Sequence, residues 1–205
     1  MNDGYWEVLN SIASSEPTPG GGSVAALSLA HAHSLAAMVA RLTAASDKWS
    51  EGHAIASTVI EQSDEAIRNS LTLADRDAEA FDSVMAAYRM PKDEASHQSR
   101  AEAIREATIG AARVPLETMI YALELIHQLL ELSLACNRNA LTDLASSAEL
   151  AHTAARMAEM NVRVNTDYLE GDDVNEIEHS AKDTMERCNI ALDDVRASFR
   201  SRLGW

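Results

Sequence analysis

The sequence predicts an all-α fold, a bundle of long antiparallel helices, and three observations carry that expectation. Apolar residues recur at steps of three and four along most of the chain, with no sustained two-residue alternation of the kind a strand shows. Of the 205 residues, 46% are hydrophobic but only 4% are aromatic and 4 are proline, and alanine supplies much of the rest. Small side chains on this scale let helix axes approach closely. Turn-forming residues cluster at few points, chiefly Gly20–Gly22, Pro91, Asn137–Asn139 and Gly171. The length fits one domain over residues 1–205.

A short amphipathic helix is expected from Asp3 to Ala13, with Trp6, Leu9 and Ile12 on its apolar face. Pro17-Thr18-Pro19-Gly20-Gly21-Gly22-Ser23 follows, and Ser23 is the expected cap of a second helix running to Ala45. A third is expected from Ser50 to Tyr88, its seam Ile67, Leu71, Ala74, Ala78, Phe81, Met85 and Tyr88. Pro91 ends it, because the residue before a proline is pushed out of helical geometry. A fourth covers Asp93 to Ala135, with Ala111, Pro115, Ala122, Leu125, Leu129 and Leu132 in phase and Pro115 as a kink. The fifth has an alanine-dominated seam from Leu141 to Leu169, and the last runs from Gly171-Asp172-Asp173 to Phe199. Helices this long leave more apolar seam than one thin protomer buries, which predicts a homodimer.

The formal charge of −15 argues against nucleic acid or an anionic membrane surface as a partner. Cys136 and Cys188 lie in expected helices without metal-type spacing and read as free thiols of a reducing compartment. No basic segment precedes an apolar run at the N-terminus, so a cytoplasmic location is expected. Ser23 to Ala40 has no full charge over 18 residues, but its serines, alanines, His31 and His33 favour a helix buried within a bundle over a membrane span.

Several residue groups carry candidate chemistry. The Gly20–Ser23 stretch opens a helix N-terminus, either as a seat for an anionic ligand group or as a connector permitting tight helix packing. Asn139 and Asp143 stand one turn apart at the start of the fifth helix, as caps or as a catalytic carboxylate braced by an amide. Asn161 and Asn165 form a second such pair, fixing helix register or bonding a heteroaromatic ligand. Asp77 flanks the seam of the third helix, more as a half-exposed polar residue than as an acid. Lys92, one of three lysines, and Arg41 are surface charges or holders of an acidic ligand tail. The seven histidines show no ligand spacing, and no metal site is expected.

Taken in order, these stretches resemble the cyclodeaminase/cyclohydrolase family of folate enzymes. The matching segments are Pro17 to Leu27, Met38 to Thr43, Asp77-Ala78-Glu79-Ala80-Phe81, Met90-Pro91-Lys92, Val114 to Glu117, Asn137 to Leu144, and Asn161-Val162 with Asn165. The family usually carries a Gly-Ala-Leu-Gly-like segment where this chain has Leu29, His31, Ala32 and His33. The resemblance implies an all-helical homodimer acting on one-carbon adducts of tetrahydrofolate without metal or nucleotide cofactor. It implies a methenyltetrahydrofolate cyclohydrolase, with two alternatives: a formimidoyltetrahydrofolate cyclodeaminase that releases ammonia, and a non-catalytic folate-binding or structural dimer. On the cyclohydrolase reading Asp143 is the catalytic carboxylate, and Asn139 or Asn137 orients it. Gly20, Gly21, Gly22, Ser23, Lys92 and Arg41 hold the substrate, and Asn161 and Asn165 bond the pterin edge.

Overall fold

A computed structural model describes residues 4–205, and among them are six α-helices and no strand. They are α1 (Tyr5–Ile12), α2 (Gly21–Ala44), α3 (His53–Arg89), α4 (His97–Ala135), α5 (Leu141–Thr166) and α6 (Asp172–Leu203). Short 3-10 turns at Asp47–Gly52 and Arg138–Ala140 join α2 to α3 and α4 to α5. Cross-helix partners fix the directions. Gln128 meets Gln62 and Arg76 meets Glu117, so α3 and α4 are antiparallel. Asn137 bonds Leu42 and Ser147 bonds Ala32, so α5 runs back along α2. Arg196 reaches Glu149 and His152 reaches Asn189, which sets α6 antiparallel to α5. The expected antiparallel bundle is what forms.

At the centre lies α2, packed by α3, α4 and α5. It is long and apolar enough to cross a membrane by length and composition, with mean hydropathy 1.4, but its apolar content serves the bundle core. Ala25, Ala32 and Ala36 of α2 and Ala148, Ala151 and Ala155 of α5 are all fully buried. With no side chain beyond Cβ, these faces allow the Ser147 hydroxyl to donate to the Ala32 carbonyl at 2.7 Å. The larger core residues come mainly from α4: Met119, Ile126, Leu129 and Leu132 have no exposed surface. Truncating one of these leucines to alanine typically costs about 2–5 kcal/mol.

Two helix ends show why the chain turns where it does. Gly171, N-terminal to α6, has φ 133°, a conformation open to glycine, and a Cβ there would lie 2.7 Å from Arg105 Nη2. Arg105 uses this space to donate to both Asp173 oxygens, at 3.0 and 2.7 Å, and to the Glu170 carbonyl at 2.9 Å. At the opposite end, Arg202 donates to the carbonyls of Ser133 and Cys136, each at 2.7 Å, groups that the end of α4 leaves without helical partners.

Some expectations need correction. The α1 helix begins at Tyr5, and the expected start at Asp3 lies outside the described residues. Trp6 is 65% exposed, while Leu9 and Ile12 face a groove against α2. Gly20, not Ser23, caps α2, and Ser23 lies within its first turn. The expected seam of α3 is buried at Ala74 and half-buried at Ile67, Ala78 and Met85, but Leu71, Phe81 and Tyr88 are exposed, and the buried face is Ala56, Val59, Ser63, Ser70, Leu73, Ala74 and Ala87. A heptad count finds an apolar stripe but does not say which neighbour covers it. The α5 seam is buried as expected from Leu141 to Val162, and Leu169 falls beyond the helix end.

Candidate functional site

The glycine stretch brings α2 against the middle of α3, and what it receives there is a side chain of the protein. The Ser23 hydroxyl lies 3.0 Å from Asp77 Oδ2 and 3.1 Å from the Ala74 carbonyl. A Cβ on Gly22 would collide with the Asp77 carboxylate, so glycine is required for this approach. The anion seat expected at the α2 N-terminus is therefore occupied by Asp77. Its carboxyl is nevertheless pushed above the usual carboxylate range, because burial outweighs the hydrogen bonds from the Ser23 side chain and backbone. A carboxyl shifted in this direction is protonated more readily than an exposed aspartate.

Asn161 of α5 stands beside the same helix start: a Cβ on Gly21 would be 3.5 Å from its Nδ2. That nitrogen donates to the Met157 carbonyl of its own helix at 2.8 Å, which leaves Oδ1 as the end able to meet a ligand. Asn165 is more fully committed to the fold. Its Nδ2 donates to the Asn161 carbonyl at 2.8 Å and to the Ala111 carbonyl at 3.1 Å. Ala111 is four residues before Pro115, which has no N–H to offer it, so Asn165 supplies the missing donor. A cavity of about 410 Å³ adjoins this corner, lined by Thr18, Pro19, Ser23, Ala74 and Ala78 among others.

The remaining candidates stand elsewhere within the protomer. Asn137 donates from Nδ2 to the Leu42 carbonyl at 3.3 Å and accepts from the Asn139 backbone N–H at 3.0 Å. This ties the α4–α5 connector to the far end of α2, about 30 Å from Ser23 at 1.5 Å per residue. Asp143 is half-buried in the first turn of α5 at that end, and no hydrogen bond links it to the exposed Asn139. Arg41 is also there, with Nη2 3.4 Å from Ser63 Oγ and 3.8 Å from Asp64. Lys92 is exposed in the turn beyond α3, about 18 Å past Asp77 along the helix axis. One protomer therefore brings together Gly20, Gly21, Gly22, Ser23, Asn161 and Asn165 with Asp77, and separates them from Asn137, Asn139, Asp143, Arg41 and Lys92. The sequence reads Asp77 as a half-exposed polar flank; the structure sets it against Ser23, and the sequence signal for that contact is a carboxylate beside a seam alanine inside a family-like segment. Among the described residues no group of three or more His, Cys, Asp or Glu side chains gathers as a metal would require.

A sequence model of the family described as formiminotransferase-cyclodeaminase matches residues 5–186. The chain belongs to that family. Within it, the chain is 39% identical over 165 residues to a methenyltetrahydrofolate cyclohydrolase of Methylorubrum extorquens, covering 79% of this chain and 78% of that protein. It is 31% identical over 158 residues to the formimidoyltransferase-cyclodeaminase of Sus scrofa, covering 77% of this chain but 29% of that longer protein. The fold is similar to the crystal structure of a formiminotetrahydrofolate cyclodeaminase from Thermotoga maritima. The TM-score is 0.88 at 25% identity, covering 98% of this chain and 96% of that one. The family match thus spans the segment that holds the glycine stretch, Asp77 and both asparagine pairs, and the fold likeness covers nearly the whole bundle.

Proposed function

We propose that this protein is a methenyltetrahydrofolate cyclohydrolase that converts 5,10-methenyltetrahydrofolate to 10-formyltetrahydrofolate. The observation that carries the reading is the match to the cyclohydrolase, which spans most of both chains. In the substrate one carbon bridges two nitrogens, N5 and N10, and shares their positive charge. Water adds to that carbon and gives up a proton to Asp77. The bond from carbon to N5 then breaks, Asp77 returns a proton to N5, and the second water proton leaves as the formyl group forms on N10. A carboxyl held above its usual pKa suits both halves of this exchange. Asn161 Oδ1 offers an acceptor for the pterin edge. No metal or nucleotide enters the scheme, and the two buried free cysteines favour the cytoplasm as its setting.

The working unit in this proposal is a homodimer. Leu35, Met38 and Leu42 continue an apolar stripe on α2 whose first half lies under α1, and Met38 and Leu42 are 36% and 44% exposed. A second copy running antiparallel across α2 covers this bare half. It also carries its own Asn137, Asn139 and Asp143 to the glycine stretch, where Asp143 stabilises the cationic carbon.

The cyclodeaminase reading has its own support in the similarity to the Thermotoga maritima structure. The two are separated by offering each substrate to purified protein. Loss of the near-ultraviolet absorbance of 5,10-methenyltetrahydrofolate, without ammonia release from the 5-formimino compound, supports the hydrolase. Ammonia release with slow methenyl hydrolysis overturns it.

A further inference from the structure

Ser23 is 1% exposed, so its hydroxyl finds its partners within the protein. Two acceptors stand within reach, both on α3: the Ala74 carbonyl at 3.1 Å and Asp77 Oδ2 at 3.0 Å. Ala74 and Asp77 are three residues apart and share one face of that helix. A serine hydroxyl has a single proton and two lone pairs. That proton serves one of the two oxygens at full strength, and the charge on Asp77 decides which.

An ionised Asp77 only accepts, and it draws the proton, because a hydrogen bond to a charged oxygen is roughly twice as strong as one between neutral groups. A neutral Asp77 has an acid proton of its own to place. Ser23 Oγ stands at Oδ2 to accept it, while the hydroxyl turns about its C–O bond to the Ala74 carbonyl. All three groups stay paired in both states, and only hydrogens move, so neither state leaves a buried polar atom unpaired. The backbone N–H of Ser23, in the first turn of α2, also bonds Asp77 and keeps the carboxyl against the helix start when the hydroxyl turns away.

We propose that Ser23 is a two-way hydrogen-bond switch for Asp77: its hydroxyl donates to the ionised carboxylate and, when the carboxyl is neutral, turns to the Ala74 carbonyl and accepts from the acid. Its part in turnover rests on the cyclohydrolase reading above, in which Asp77 takes up a proton and returns it. Ser23 is then a positioning residue that keeps the carboxyl in one place through both protonation states.

The test compares intact, isotope-labelled wild type and Ser23→Ala, with the Asp77 carboxyl and Ala74 carbonyl carbons followed by NMR from acid to neutral pH. The switch predicts one shared midpoint for the two resonances in the wild type. In Ser23→Ala the Asp77 midpoint moves further up, because the charged form has lost a donor, and the Ala74 response is largely lost. An Ala74 carbonyl that does not titrate in the wild type, or an Asp77 midpoint unmoved by the substitution, overturns the switch. Hydrolysis of 5,10-methenyltetrahydrofolate is measured over the same pH range, with the fold checked by circular dichroism. In Ser23→Ala kcat is expected to fall about tenfold with KM kept, and its acid limb to move up with Asp77. A raised KM with kcat and its pH profile unchanged overturns the positioning role and makes Ser23 a substrate contact. A moved Asp77 midpoint with kcat, KM and pH profile all unchanged upholds the switch and removes Asp77 from the reaction.

Discussion

Pro115 leaves the Ala111 carbonyl of α4 without its helical donor, and the side chain that supplies one comes from Asn165 of α5. Asn165→Ala is expected to lower unfolding free energy by about 1–3 kcal/mol in a urea titration. The loss should shrink when Pro115→Ala restores an N–H at position 115, and additive losses would contradict this pairing. Asp77 is the second residue whose surroundings decide its behaviour. Its folded pKa lies above the unfolded value, so the folded state holds the proton more tightly, and stability falls as pH rises through that interval. Asp77→Asn, which keeps an oxygen for Ser23 but carries no charge, should therefore raise Tm at pH 7. The gain should vanish near about pH 3, where both states are protonated. A thermal melt series across pH checks both ends. Both asparagines and the aspartate were visible in the sequence. Their partners were not, because Asn165 answers a carbonyl on another helix and Asp77 meets a glycine 55 positions away.

At the scale of elements, periodicity and turn chemistry located the helices well. Pro91, Asn137–Asn139 and Gly171 each fall between helices, and the α5 alanine seam is buried from Leu141 to Val162. The phase of α3 was less legible. Its exposed stripe is nearly as apolar as its buried face, which contains Ser63 and Ser70. Sequence also gave little notice of how helix ends are held. Arg202, near the end of α6, donates to the carbonyls that finish α4, while Arg138 Nε donates to the Arg202 carbonyl at 3.0 Å. Arg202→Ala should cost about 1.5–3 kcal/mol, as expected for hydrogen bonds from a charged donor. It should also speed amide exchange first at Cys136–Ala140. Uniform exchange changes along α6 would instead indicate that the arginine acts through its own helix.

For the whole molecule, the antiparallel bundle was predicted from composition and seams, and the family likeness extends across it. The grouping of site residues was less legible, because linear order hides that Ser23 and Asp143 lie near opposite ends of α2. The proposed twofold pair of protomers would reconcile that separation with a single chemistry. On this proposal Asp77→Asn and Asp143→Asn impair sites in which the two carboxylates come from different chains. Mixing the two inactive variants under conditions of subunit exchange should restore about a quarter of wild-type turnover, since half the dimers are mixed and each has one intact site. No recovery despite demonstrated exchange would place each site within one protomer.

The most direct measurement is steady-state hydrolysis of 5,10-methenyltetrahydrofolate by the wild type and Asp77→Asn side by side, with helical content monitored by circular dichroism. The account predicts rapid hydrolysis by the wild type and a loss in kcat of about 10²-fold or more in the variant, with its fold retained. Equal turnover by the two proteins would remove Asp77 from the chemistry and contradict the mechanism.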